Sequence, residues 1–309
     1  MKYGLMLLAL VYGMIPAGHA CGLNWAKPTN HFDGVNPRGY LSHWENWGSI
    51  QINDELTIPF IVGFRSNRES TSPYLGKGWT AALLESYAVP VDERRYRVMM
   101  PDGYNFKFWK DRQNPQSNIY HGSRGWKAQR SEDGSKFTAW APCGTKIEWQ
   151  DGKIREITTK GGNRVRYIYQ GGLLTRLEDG QGKELVEVNW LQPGVAKDFV
   201  MHQPDGKELE IEVEQDKKPE IQQVAGTSMV GELTSSLSRV SWHQDGKEQR
   251  LRNYVFQINT DQMLPTLEIL ENDEVERSLV WNPQTRYIMQ DGEWKYQIQP
   301  GDNEDWRCP

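Results

Sequence analysis

Beyond residue 20 the sequence has no run of 18 consecutive apolar residues, so no helix of the mature chain is predicted to cross a bilayer. It has no block of basic residues either. The 36 Lys and Arg are interspersed with 41 Asp and Glu, for a formal net charge of −5 and a pI near 5.8, which argues against a nucleic-acid partner. There is no His-Glu-x-x-His, no Cys-x-x-Cys, no Gly-x-Ser-x-Gly and no phosphate loop, which removes the common signatures of zinc, redox, acyl-transfer and nucleotide chemistry. Long helical patterns are scarce, and their scarcity points to a β fold. With 37% hydrophobic and 25% charged residues, the 309-residue chain is globular and long enough to bury a substantial core.

The chain opens with an export signal: Lys2, an apolar run from Leu5 to Val11, Pro16, then the small residues Gly18 and Ala20. Residues 1–20 are therefore set apart from the fold. Cys21 follows the cleavage site, where a lipid anchor would sit, but Gly18-His19-Ala20 lacks the residues usual before an acylated cysteine, and ordinary cleavage is preferred. Cys21, Cys143 and Cys308 are three thiols in an oxidising compartment, so a bridge is expected from Cys143 to Cys308 or from Cys21 to Cys308.

What the sequence does have is the turn dipeptide Asp-Gly, at residues 33, 102, 133, 151, 179, 205, 245 and 291. Asp-Gly accepts the positive φ angles of tight hairpins, and alternating strand-like segments follow most copies. Residues 151–190 state the pattern twice in 20-residue units, Gly152 matching Gly172, Ile154 Leu174, Ile157 Leu177, and Gly162 Gly182. The apolar phase then slips: Val165, Tyr167 and Tyr169 align with Leu185, Glu187 and Asn189, while Val186, Val188 and Trp190 continue the apolar set, which predicts a bulge or a change of face. Repeats of this size predict an all-β protein, repeated antiparallel hairpins in an extended, curled sheet.

The stretch from Gly162 to Leu185, with Gly162, Tyr167, Tyr169, Gly172, Leu174, Asp179 and Gly182 in place, resembles the YD-repeat (RHS-repeat) family, although Gln170 stands where the family's namesake Asp would follow Tyr169. Residues 58–80, with a Gly-x-Gly-Trp corner at Gly76 to Trp79, resemble the segment that opens such arrays, and residues 98–108 the hairpin that follows. The resemblance implies a sheet that spirals into a hollow shell. Large members end in an Asp-Pro-x-Gly core and release a toxin; this chain has no Asp-Pro dipeptide, so the resemblance implies a short, stand-alone, exported array. The expected organisation is a signal peptide over 1–20, a cap or plug over 21–49, an array over 50–300 and a tail over 301–309.

The aromatic excess, 13 Trp and 13 Tyr against 8 Phe, suits both sheet packing and stacking on sugar rings. Tyr40, Trp44 and Trp47 precede the array and read either as a carbohydrate platform or as a cap over an open sheet edge. Trp109, Trp126, Trp140, Trp149, Trp190 and Trp242 end strand-like runs and are expected in the core or in cross-strand pairs. Five histidines remain after export (31, 43, 121, 202 and 243) without ligand spacing, so no metal or cofactor is expected. Asp102, Glu148 and Asp179 are the carboxylates a glycosidase would recruit, but each already reads as a turn or strand-surface residue. The expectation is a non-enzymatic protein of the cell surface or envelope, binding a glycan or a surface protein; a secreted polysaccharide hydrolase and a purely structural envelope component are the alternatives.

Overall fold

The computed structural model describes residues 34–36, 40–53, 56–65, 71–103, 105–111, 113–114, 116–224, 227–259, 264–282, 287–290 and 293–297. They are nearly all strand; the helical segments are the single turn Ala82–Glu85 and the 3-10 turn Ser123–Gly125. No helix among them is long and apolar enough to cross a membrane. Cys21, Cys308, His31 and the expected tail lie outside the described residues.

Eight consecutive antiparallel strands form a closed ring: Tyr87–Asp92, Arg95–Met99, Asn105–Lys110, Ile119–His121, Lys127–Arg130, Lys136–Trp140, Lys146–Gln150 and Lys153–Thr158. The seam is a pairing of Lys153 with Tyr87, with the Ala88 N–H donating to the Gly152 carbonyl at 3.1 Å. Strand alternation explains what fills the ring. Phe106 and Phe108, Phe137 and Ala139, and Ile147 and Trp149 all take inward phases and are buried. Phe137 sits among them, stacked on Tyr96 at 4.2 Å and in edge contact with Phe108 and Tyr120 at 5.6 and 5.8 Å. Eight strands enclose about as much space as side chains can fill. The expected curled, hollow sheet is thus corrected here: the first half of the array closes on itself around an aromatic core.

The seam strand also forks. Lys153 pairs across the seam, whereas Glu156, Ile157 and Thr158 pair with Arg166, Val165 and Arg164 of the next strand, Arg164–Gln170. From that fork an antiparallel meander continues through Leu173–Asp179, Glu184–Gln192, Val195–His202, the long hairpin Glu208–Val224 and Thr227–Gln244, then Lys247–Asn259, Leu264–Glu271 and Glu274–Asn282 to Glu293–Gln297.

The 20-residue repeat is a structural repeat. Asp151-Gly152 and Gly171-Gly172 are two-residue turns with φ of 51 and 79°, and 57 and 82°. The wider turns Thr159–Asn163 and Asp179–Lys183 make the same pair of hydrogen bonds, closing on Gly162 and Gly182 in the left-handed region. Ala141–Thr145 and Gln203–Lys207 use the same turn. Asp-Gly therefore serves two turn types: at Asp245-Gly246 both residues have positive φ, whereas at Asp179-Gly180 the left-handed residue is Gly182. The phase slip is a bulge: the register shifts between Leu177 and Glu178, and Leu185 and Val186 are both buried.

A separate four-stranded sheet, Gly34–Asn36, Tyr40–Asn53, Leu56–Arg65 and Trp79–Ala81, lies against the meander. The expected boundary between 49 and 50 falls inside its second strand. Aromatic contacts join the layers: Trp47 to Trp242 at 6.0 Å, Phe60 to Phe199 at 5.3 Å, Phe64 to Phe256 at 5.4 Å and Trp79 to Tyr254 at 4.7 Å. Gly48 allows the close approach, since a Cβ there would lie 3.1 Å from Met201 Sδ. The Gly-x-Gly corner has φ of 81 and 83° at Gly76 and Gly78, and it docks on the meander through Ser236, whose Oγ donates to the Lys77 carbonyl at 3.0 Å.

Candidate functional site

Three residues were expected to form a glycan platform or a cap. Tyr40 pairs through its backbone with Asn36, and its side chain lies outside the described residues. The Trp44 ring lies flat on the backbone of Gly63, where a Cβ would come within 2.4 Å of it. Trp47 is 3% exposed and packs on Phe60 and Trp242, whose indole N–H donates to the Trp47 carbonyl at 2.8 Å. A ring so placed cannot stack a sugar from solvent, so the platform reading of Trp47 gives way to packing between the two sheets.

Between Trp44 and Trp47 stands Glu45, the centre of a buried polar cluster. Tyr254 and the Trp47 indole donate to its Oε1; Arg252 donates to Oε2, and His43 Nε2 lies 3.5 Å from Oε2. Arg252, itself buried, also bonds Glu271 at 2.9 Å and pairs with Glu276. Burial pushes the Glu45 carboxyl up, but the opposing pull of His43, Arg252 and Trp47 together holds it below the usual carboxylate range. The arrangement fastens the N-terminal sheet to the meander.

Exposed aromatic surface lies instead on the outside of the barrel. In Asn105–Lys110 and Lys136–Trp140 the phenylalanines take the inward phase, so Trp109 and Trp140 fall on the outward one, 47% and 36% exposed. Successive ladder partners set them in one row: Arg95 opposite Trp109, Trp109 opposite His121, His121 opposite Lys127, Lys127 opposite Trp140, and Trp140 opposite Lys146. Directly opposed residues share a face. The row thus interleaves two indoles, three strand spacings or about 14 Å apart, with Arg, His and Lys side chains.

Beside Trp109 a cavity of about 320 Å³ is lined by Lys110, Asp111 and His121, with His121 Nε2 3.9 Å from Asp111 Oδ2. The Arg95 guanidinium lies 5.5 Å from the Trp109 ring centroid and bonds Asp92, whose carboxyl is held below its ordinary value by that bond and by the Arg94 N–H. At the other indole, Lys146 pairs with Glu148 at 3.3 Å. Residues 87–158 carry 13 Lys and Arg against 9 Asp and Glu, so the barrel is +4 within a chain of −5, and the rest is −9. Such a surface can stack apolar ring faces on indole while carboxylate, imidazole and ammonium groups exchange hydrogen bonds with hydroxyls.

The other Trp residues divide as their phase dictates. Trp126, Trp149 and Trp242 are buried and Trp190 is partly buried, donating to the Leu174 carbonyl at 3.0 Å. Of the two expected places, core or cross-strand pair, Trp109 and Trp140 take the second, opposite Arg95 and His121 and opposite Lys127 and Lys146. Of the hydrolase carboxylates, Asp102 is buried, Glu148 pairs with Lys146, and Asp179 accepts from the Gln181 and Lys183 N–H groups of its own turn. Tyr167 and Leu174 of the repeat are buried, and Tyr169 packs under the Arg155 guanidinium at 4.6 Å. One group among the described residues, Glu184, Glu187 and His202, has its ligand atoms close enough to hold a metal; the spacing of histidines in the sequence gave no sign of it.

No protein-family model matches the chain, and no curated protein matches it. Among solved structures the chain is similar to a porin-like protein from Bacteroides uniformis, at 7% identity and a TM-score of 0.27, over 73% of this chain and 96% of that one. A likeness at that score carries no argument about fold or function.

Proposed function

We propose that this chain is an exported, non-enzymatic protein of the cell surface or envelope, with an array of the YD-repeat (RHS-repeat) kind, which binds carbohydrate on the outer face of its barrel. The observation that carries the reading is the row from Arg95 to Lys146, where two indoles stand exposed on one face. An isolated exposed apolar side chain needs no explanation, but two tryptophans aligned across a ladder and flanked by polar groups form a surface with a use. Export rests on the residues before Cys21, and the repeat kinship on the 20-residue unit with its matched turns.

The test is retention on envelope polysaccharide. Trp109→Ala and Trp140→Ala should each reduce it, and together abolish it, with the melting temperature close to that of the wild type because both rings are half in solvent. No reducing ends should be released during incubation. Retention unchanged in the double variant defeats the assignment of the site, and appearance of reducing ends promotes a hydrolase.

A further inference from the structure

The bulge at Leu185 has an effect on the outside of the sheet. Residues three apart face opposite ways in a regular strand, but because Leu185 and Val186 both turn inward, Glu184 and Glu187 both turn outward. On the next strand Met201 pairs with Val186 and is buried, which leaves His202 on the outer face beside them. One ligand atom from each of Glu184, Glu187 and His202 lies within 4.8 Å of the other two.

Two further observations separate this group from a patch of solvated acids. His202 Nε2 is buried and has no hydrogen-bond partner among the described residues, while Nδ1 sits 3.3 Å from Glu208 Oε1. A carboxylate on one ring nitrogen fixes the tautomer that leaves the other nitrogen's lone pair available, which is how histidine ligands are oriented behind a metal. Neither the Glu184 nor the Glu187 carboxylate closes an ion pair or accepts a hydrogen bond among the described residues; Arg176, the ladder partner of Glu187, feels the Glu184 charge but gives its Nε–H to Glu178 at 2.6 Å.

We propose that Glu184, Glu187 and His202 form a binding site for a divalent first-row cation of the zinc class. An imidazole among the donors disfavours calcium and magnesium, which take oxygen ligands, and two carboxylates with one imidazole leave the fourth tetrahedral position to water. Zinc bonds of about 2.0–2.2 Å set tetrahedral ligands roughly 3.4 Å apart, so the three side chains close inward by an ångström or so on binding, a shift the flexible glutamates can make. The ion would tie the bulged strand to its neighbour.

The experiment titrates Zn2+ into the full chain by calorimetry at neutral pH, with thiols blocked so that cysteine does not compete. One saturable site is expected, accompanied by a rise in melting temperature. Glu187→Gln and His202→Gln should each weaken binding at least tenfold, and Glu208→Gln, acting through the imidazole, by about 10- to 100-fold. His243→Gln, on another strand and placed against Ser241 and Glu212, should leave it unchanged. Circular dichroism of each variant identifies loss of fold, in which case Glu184→Gln carries the same test. Absence of saturable binding at millimolar Zn2+, or binding that His202→Gln and Glu187→Gln leave intact, overturns the proposal.

Discussion

The barrel and the contact between the N-terminal sheet and the meander both bury aromatic residues, but they are closed by different forces. Inside the barrel, Phe137, Tyr96, Tyr120, Phe108 and Trp149 touch ring to ring, and the charge that comes near them is that of Arg130, the ladder partner of Phe137, whose field acts on Tyr96 without an ion pair to a carboxylate among the described residues. Between the sheets, Trp47, Phe64 and Trp79 form similar contacts, but the buried Arg252 and the largely covered Glu45 lie with them and join His43, Tyr254, Glu271 and Glu276. Ring packing is indifferent to pH and tolerant of small shifts. A buried carboxylate and guanidinium fix one register and make it conditional on charge.

The largest effect expected concerns neither core. Cys143 lies half-buried in the turn Ala141–Thr145, at the rim of the barrel, with its Sγ 3.5 Å from Thr145 Oγ1. A bridge from there to Cys308 would enclose about 165 residues and contribute about 5 kcal/mol in the chain-entropy model. Peptide mapping without reductant should find it, or the alternative from Cys21 to Cys308; three free thiols would refute both. Next come the two cores. Arg252→Ala strands Glu45 without its cation and should cost about 3–5 kcal/mol. Phe137→Ala opens a cavity among four rings and should cost a similar amount, about 3–5 kcal/mol by chemical denaturation.

Acid separates the two regions. The Glu45 carboxyl is held below its unfolded value, so its contribution is fully present above the unfolded pKa of about 4.3 and is lost as pH falls through the lower folded value. Stability of the wild type should therefore drop below about pH 4.3, and Glu45→Gln should flatten that part of the curve. Phe137→Ala should displace the whole curve in parallel. A Phe137→Ala curve that changes slope, or a Glu45→Gln curve that does not, would erase the distinction between the two regions.

The sequence made the strands and their turns legible because period-2 alternation and left-handed glycines are local signals. It also announced the bulge, since Leu185 and Val186 break the phase in plain view. Closure of the barrel was not legible: it depends on Lys153 meeting Tyr87, 66 positions away, and no local pattern states that pairing. The exposed indoles were legible in principle. Trp109 follows Phe108 and Trp140 follows Ala139, so each stands out of phase with the buried set. Their position at the end of a run left core and cross-strand pair both open, whereas counting the phase places them outside. Trp47 left platform and cap both open, because the strand Tyr40–Asn53 carries a register shift between Asn46 and Ser49 that hides its alternation.

The smallest effect tests whether the two 20-residue units are energetically as well as geometrically equivalent. Gly152 and Gly172 hold corresponding places in their turns, with φ of 79 and 82°, so replacing either by Ala forces a Cβ into the left-handed region at about 1–2 kcal/mol. Their surroundings differ. Gly152 sits at the barrel seam, where a Cβ would lie 3.6 Å from the Ala88 carbonyl oxygen, whereas at Gly172 it would meet only Lys153 Nζ at 3.9 Å. Both distances are ordinary contacts, so the seam adds no steric penalty and the two substitutions should cost the same within about 0.5 kcal/mol, the error of such comparisons between separate sites. A markedly larger loss at Gly152 would mean that the hydrogen bond from Ala88 to the Gly152 carbonyl, and with it the closed ring, gives way when the turn is strained. That result would show that the repeat is uniform in shape while its first unit carries the closure of the barrel.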